Sequence, residues 1–346
     1  MSTVDIVIPC YNYARYLPTS VGSVLTQENV DVRVLVIDDA SSDETAQVGA
    51  ELAATDRRVE FRRHEVNRGH IATYNEGLLK WSKADYCVLL SADDILTPGS
   101  LGRAVSIMDG DPKIGMVYGP TVHFRDEREL PKLRPGNWDF SKWSGEEWLE
   151  RRCRAGHNVI TSPEVVVRGS IQRSVGGYNP ELPHAGDLEM WLRIAAVSNI
   201  AYVRGVPQAF YRVHSASMMR SKYNGQLLDL RQRKAVFEFF FKHYGNNGNR
   251  KHLHDEARRA LAREALWDAC RAYDHNQLEE RRANELVEFA QTTYPAFTAL
   301  PEFRALERRR RLGPVWCHRS QLFFLGALTR RINQWAATRN RKRQGI

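Results

Sequence analysis

The chain has 346 residues, 42% of them hydrophobic and 26% charged, with a net charge of +9. This balance describes a soluble globular protein of one large domain with an appendage, or of two domains, and no run of about 18 apolar residues is present to span a membrane. The five cysteines (Cys10, Cys87, Cys153, Cys270 and Cys317) are odd in number and form no CxxC pair, which argues against structural zinc and a disulfide framework and for a reducing cytosol.

The first strand, expected at 4–9, begins with Val4-Asp5-Ile6-Val7-Ile8 and follows no basic segment or cleavage site, so no leader is expected. A helical pattern at 14–25 comes next, then a β-branched strand at 32–37 and a second helix at 43–53. A short strand at 59–63, a helix at 71–81 and an apolar strand at 86–90 follow. This alternation predicts a parallel sheet with helices on both faces. Pro98 opens a helix near 99–108, and 114–118 is a further strand. Residues 119–154 read as loop-rich and carry Trp138, Trp143 and Trp148. A strand at 161–168, an amphipathic helix at 187–196 and a strand at 200–203 complete the alternation. From about Gly225 Arg/Glu-rich helical periodicity dominates, which puts a boundary near 222–230.

In parallel sheets, ligands bind beyond the carboxyl ends of the strands, and the polar clusters fall there. Asp93-Asp94 follows the buried run Tyr86-Cys87-Val88-Leu89-Leu90. Unpaired charge is costly in a core, so these carboxylates should face a cleft, where hard oxygen ligands suit Mg²⁺ or Mn²⁺. Asp38-Asp39 ends the second strand; one residue can cap the turn through Ser41, Ser42 and Asp43, leaving the other to accept from a base or ribose. Pro9-Cys10-Tyr11-Asn12 is a strand-terminating turn, with Tyr11 free to stack on a base or simply part of a loop. Asn67-Arg68-Gly69-His70, followed by Asn75, enters a helix whose N-terminus would favour phosphate, unless it is a plain turn. Asp187 opens the amphipathic helix, either as an N-cap or as a general base for an acceptor hydroxyl. His214, in Tyr211-Arg212-Val213-His214, is a structural histidine or a metal ligand near Asp94.

Together these segments resemble family 2 glycosyltransferases over roughly residues 3–220. The likeness rests on Val4–Asn12, Val36-Ile37-Asp38-Asp39-Ala40-Ser41-Ser42-Asp43, Asn67-Arg68-Gly69, Leu89–Asp94, Gly186-Asp187 with Glu189-Met190-Trp191-Leu192-Arg193, and Tyr211–His214. The resemblance implies a GT-A fold: an α/β, Rossmann-like, mostly parallel sheet with flanking helices. Its domain would span 1–224, with a nucleotide-binding half at 1–97 and an acceptor-binding half at 98–224, ahead of a helical region at 225–346. It further implies inverting transfer from a nucleotide sugar, first of all a UDP-sugar, to a glycan or lipid-linked acceptor. Pro9, Tyr11, Asn12, Asp38, Asp39, Asn67, Gly69, Asn75 and Asp93 would bind the donor. Asp94, with Asp93 and His214, would hold Mn²⁺ or Mg²⁺, and Asp187 would be the base. Two positions depart from the family pattern: Ser91 where its metal motif often begins with Asp, and Gly186 where a Glu often precedes the catalytic Asp.

The C-terminal segment from Pro301 carries 12 Arg/Lys against 2 Asp/Glu, a net of +10, which leaves −1 for the rest of the chain. Its Arg308–Arg311 run, Trp316, Leu322–Leu325, Leu328, Arg330-Arg331 and the basic stretch 339–343 suit either an amphipathic segment on anionic lipid or a helix packed on its own domain. The expected setting is cytoplasmic, with peripheral attachment to the inner membrane face. No recognition module accompanies the basic residues, so nucleic acid is not expected as a partner. A nucleotidyltransferase would need a Gly-rich basic loop that Pro9–Arg15 does not supply. A non-catalytic nucleotide-sugar-binding protein docked on a membrane is the alternative that Ser91 and Gly186 keep open.

Overall fold

The computed structural model describes residues 1–133, 136–214, 225–245, 250–276 and 279–320, together with Phe323, Ile332, Trp335, Ala336, Arg339 and 344–346. Leu322, Phe324, Leu325, Leu328, Arg330 and Arg331 of the tail, and most of 339–343, lie outside the described residues. Within these limits the chain divides into two compact units. One comprises Met1–Trp148, Val159–Ser217 and Arg343–Gly345; the other comprises Leu149–Asn158 and Met218–Lys342 with Ile346.

The first unit is α/β. β1 (Thr3–Cys10), α1 (Leu17–Leu25), β2 (Asp31–Asp38), α2 (Thr45–Thr55) and β3 (Val59–Arg63) alternate as the β-branched runs predict. α3 (His70–Asn75) continues into a π-helical turn over Glu76–Trp81, then β4 (Tyr86–Leu89), the short β5 (Ile95–Leu96), α4 (Ser100–Gly110) and β6 (Ile114–Tyr118). The stretch read as loop-rich contains β7 (Thr121–Phe124), β8 (Asp139–Trp143) and α5 (Gly145–Ala155). β9 (Val166–Arg168), α6 (Gly169–Val175), α7 (Gly186–Val197), β10 (Asn199–Arg204) and β11 (Ala209–Arg212) follow.

The eight-stranded sheet runs β3-β2-β1-β4-β9-β6-β10-β8, and a second sheet runs β5-β11-β7. β1, β2, β3 and β4 are parallel, as are β6 and β10. β9 is inserted antiparallel between β4 and β6, and β8 lies antiparallel on the β10 edge. The sheet is therefore mixed, with β1 to β4 forming a parallel half. A three-residue strand, Val166-Val167-Arg168, set between two others carries no sequence mark of its direction.

Val4, Ile6 and Ile8 of β1 and Val34 and Val36 of β2 pack under Leu17, Val21 and Val24 of α1 and Leu101, Val105 and Met108 of α4. This core is what levels the strand ends: Cys10 pairs with Asp38 across β1 and β2, and Val7 with Leu89 across β1 and β4. The polar clusters after β1, β2 and β4 thus share one edge. Gly77 of the π turn is needed because a Cβ there would stand 2.2 Å from Val7 Cγ1.

The second unit is helical. α8 (Gln226–Tyr244), α9 (Lys251–Asp274), α10 (Glu280–Thr293), α11 (Pro301–Leu312) and α12 (Pro314–Ser320) make it up, with the other four packed on α9. Leu253, Leu261, Ala265 and Leu266 of α9 are buried there.

Candidate active site

The β1 and β2 turns are stitched together. Asn12 takes a positive φ of 59°, which Asn tolerates better than most residues. Its Oδ1 accepts from the Ser42 amide at 2.8 Å, and its own N–H donates to Ser41 Oγ at 2.9 Å. Asp43 ties the same loops, accepting from the Ala14 and Thr45 amides at 3.0 Å each. Pro9 is partly exposed beside them, and Tyr11 stands half exposed at the rim.

The two adjacent aspartates after β2 have different surroundings. Asp38 is fully buried; it accepts from the Ser41 amide at 2.8 Å and meets Arg63 at 3.3 Å. It serves the turn. Asp39 reaches the next loop, accepting from His64 Nδ1 at 2.7 Å, the Arg68 amide at 2.8 Å and the Gly69 amide at 2.9 Å. Asn67 Oδ1 also accepts from the Gly69 amide, at 3.0 Å. Gly69 takes a φ of +82° at the start of α3, with open space where a Cβ would project. Asn75 points elsewhere. Its amide clasps the Tyr178 backbone, donating to the carbonyl at 2.8 Å and accepting from the N–H at 2.6 Å.

Beyond β4, Asp93 Oδ2 lies 2.9 Å from His214 Nε2. Asp94 is buried, and its Oδ1 accepts from the Arg212 amide at 2.9 Å. Burial raises the Asp94 carboxyl well above the usual range, and neighbouring Asp93 raises it further. Arg212 secures this corner: its Nε donates to the Asp93 carbonyl at 2.9 Å, and it pairs with Glu127. Its guanidinium lies 4.2 Å from the Tyr16 ring centroid. Among the described residues, no three His, Cys, Asp or Glu side chains converge as a metal site by themselves. Two adjacent carboxylates and an imidazole still fit Mn²⁺ or Mg²⁺ when phosphate oxygens complete the shell, because Mg²⁺ commonly takes one or two carboxylates plus substrate phosphates.

Asp187 sits in the first turn of α7, where the helix dipole favours a carboxylate. Ala185, not Asp187, is the N-cap. Ser162 Oγ donates to Asp187 Oδ2 at 2.5 Å, and the Tyr178 hydroxyl also hydrogen-bonds to Asp187. Burial raises the Asp187 pKa; the Ser162 and Tyr178 bonds, and then His70, offset part of that rise. Nearby Glu164 is buried, and burial pushes its carboxyl up to about 7. Burial raises the pKa of the Tyr74 phenol first, and then Asp187, Asp93 and Asp94 each raise it further.

Sequence reasoning missed Ser162, Glu164, Tyr178 and the clamp role of Arg212. Ser162 and Glu164 lie within what reads as one strand. Arg212 carried a signal, lying two residues before His214 in the same segment.

The family model described as Glycosyl transferase family 2 matches residues 5–166. An uncharacterized glycosyltransferase of Haemophilus influenzae is 25% identical over 226 residues, covering 64% of this chain and 68% of that protein. Among solved structures, Staphylococcus aureus TarS 1–349 in complex with UDP-GlcNAc superposes with a TM-score of 0.65 at 15% identity, covering 92% of this chain and 91% of that one. A mannosyltransferase from Pyrobaculum calidifontis, in complex with GDP-Man and Mn²⁺, gives 0.50 at 17% identity, covering 90% and 87%. Residues 5–166 of the chain are thus similar to glycosyltransferase family 2. The chain is a glycosyltransferase with a GT-A fold, and a C-terminal helical region follows.

Proposed function

We propose that this glycosyltransferase moves a sugar, with inversion, from a nucleoside-diphosphate sugar to a hydroxyl of a glycan or lipid-linked acceptor in cell-envelope polysaccharide or glycolipid synthesis. A UDP-sugar is the first donor to test. The observation that supports the reading is the pair of acidic clusters: Asp187 in the first turn of α7, 2.5 Å from Ser162 Oγ, and Asp93-Asp94 beyond β4, with Asp93 2.9 Å from His214 Nε2.

Asp187 takes the proton of the acceptor hydroxyl. That oxygen then attacks the anomeric carbon from the face opposite the leaving group. The bond from carbon to phosphate oxygen breaks, and its electron pair leaves with the nucleoside diphosphate. Mn²⁺ or Mg²⁺ held by Asp94 with Asp93 and His214 would neutralise charge on that diphosphate. Pro9, Tyr11, Asn12 and Asp39 line the base side, with Asp38 bracing their turn, and Asn67 and Gly69 edge the phosphate side. Asn75 contributes by holding the Tyr178 loop.

On the second unit, Leu312, Val315 and Trp316 are exposed among the exposed Arg308, Arg310, Arg311 and Arg319. That mixture supports peripheral docking on an anionic membrane at its cytoplasmic face. No helix among the described residues is long and apolar enough to cross a membrane.

The test is nucleoside diphosphate release from a panel of nucleotide sugars, with and without Mn²⁺, for wild type, Asp94→Asn and Asp187→Asn. Metal-dependent release from one donor, lost in both variants, is expected. Full activity in Asp187→Asn would rule out the base, and full metal-dependent activity in Asp94→Asn would rule out the metal site.

A further inference from the structure

The base candidate is held by a segment whose shape is itself unusual. Ser162 has a φ of +88°, a region that residues with a side chain rarely occupy, and Pro163 follows it. Such strain persists only where the surroundings fix it from several sides. Here they do. The Thr161 amide and hydroxyl both donate to the buried Glu164 carboxylate, at 2.8 and 3.0 Å. Thr161 Oγ1 also meets Thr121 Oγ1 at 2.9 Å. The Ser162 carbonyl accepts from the Val165 amide at 3.1 Å, closing a turn. The outcome of this bracing is one contact: Ser162 Oγ, 2.5 Å from Asp187 Oδ2.

We propose that Ser162 is a positioning residue for the transfer reaction, held in a strained turn so that its hydroxyl orients the Asp187 carboxylate toward the acceptor. This rests on the reading of Asp187 as the base. The Ser162 proton stays on Ser162 throughout; its bond leaves Oδ1 of Asp187 to receive the acceptor proton. A hydroxyl donating to a carboxylate favours the charged form, which is the form a base needs. The other titratable groups around Asp187 are Tyr178, His70, Glu164 and Tyr74. Tyr178 shares the work of Ser162 and His70 adds to it. Glu164 opposes it when ionised, as does the Tyr74 phenolate.

The experiment is a pH profile of kcat/KM for wild type, Ser162→Ala, Ser162→Gly and Asp187→Asn. Ser162→Ala removes the hydroxyl and keeps the strain, whereas Gly accepts the positive φ and so keeps a folded variant in hand. In both serine variants the acid limb is expected to move up by about one pH unit, with about tenfold lower kcat/KM below it and donor KM changed less than about twofold. Asp187→Asn is expected to lose transfer at every pH. Serine variants whose profiles superimpose on wild type, with Asp187→Asn inactive, would overturn the positioning role and leave the base standing. An active Asp187→Asn would overturn the base, and the proposal with it.

Discussion

Arg193→Ala should unfold the first unit at much lower urea than wild type. Arg193 and Glu189 are one helical turn apart on α7, and both are buried, Glu189 completely. The guanidinium donates to both Glu189 oxygens, at 2.6 and 2.7 Å, to the Gly177 carbonyl at 2.7 Å, and to the Val175 carbonyl. Truncating the arginine leaves a buried carboxylate with no countercharge and strips two carbonyls of a donor. Breaking a buried pair from one side costs about 3–5 kcal/mol. With a urea slope of about 2 kcal/mol per molar, the midpoint falls by roughly 1.5–2.5 M. Replacing both partners, as in Glu189→Leu with Arg193→Met, removes the orphaned charge and should recover more than about 1 kcal/mol of that loss. The assay is urea titration of the full chain, read by hydrogen exchange of α7 amides so that the second unit does not contribute. A midpoint drop below about 0.5 M for Arg193→Ala would refute the reasoning, as would a double variant no better than the single.

Glu164 makes stability depend on pH. Its folded pKa of about 7 lies above the ordinary 4.5. The folded state therefore keeps a proton that the unfolded chain releases, so this contribution is full below about 4.5 and is lost as pH rises to about 7. Roughly 3 kcal/mol is at stake, and Glu164→Gln should flatten the decline of the urea midpoint between pH 5 and 7.5. Identical declines in the two proteins would contradict this. Asp39→Ala should release the loop it holds through three bonds. The Arg68 and Gly69 amides are expected to exchange about a hundredfold faster, for about 3 kcal/mol of local stability; unchanged exchange would mean the loop is held by other contacts.

Much of the first unit was legible because β1, β2, β4 and β6 are mostly β-branched or apolar runs, each followed by turn chemistry. The helix expected at 71–81 is one segment in sequence and two in the structure. Asn75 clasps Tyr178 and Gly77 lies against Val7, so tertiary contacts set where α3 widens into a π turn. The strand expected at 161–168 shortens to β9 for a similar reason. Its first half is the turn that carries Ser162, and nothing in Thr-Ser-Pro-Glu announces a positive φ. The Asp38-Asp39 pair could not be divided from sequence because both are turn formers; only the register of β1 with β2 assigns Asp38 to the turn and turns Asp39 outward to the next loop. The acidic positions were legible as a set, while their partners came from loops far away in sequence.

Gly186 is the position where adding back the family's frequent glutamate tests how this site is built. A Cβ at 186 would meet Tyr178 Cδ1 at 3.2 Å and Ile71 Cδ1 at 3.8 Å. The tyrosine ring thus occupies the flank that a longer side chain would need, and its hydroxyl reaches Asp187. In this chain a phenol and the Ser162 hydroxyl attend the base candidate, where the family pattern often has a carboxylate. Gly186→Glu would push the Tyr178 ring off that flank and set a second negative charge beside a carboxyl already raised by burial. Under the proposed role of Asp187, transfer should fall about tenfold or more, with the acid limb moved to higher pH. Gly186→Ala, which displaces the ring only slightly, should lose far less. A Gly186→Glu variant as active as wild type, with an unmoved acid limb, would mean that Tyr178 is not what the glycine makes room for.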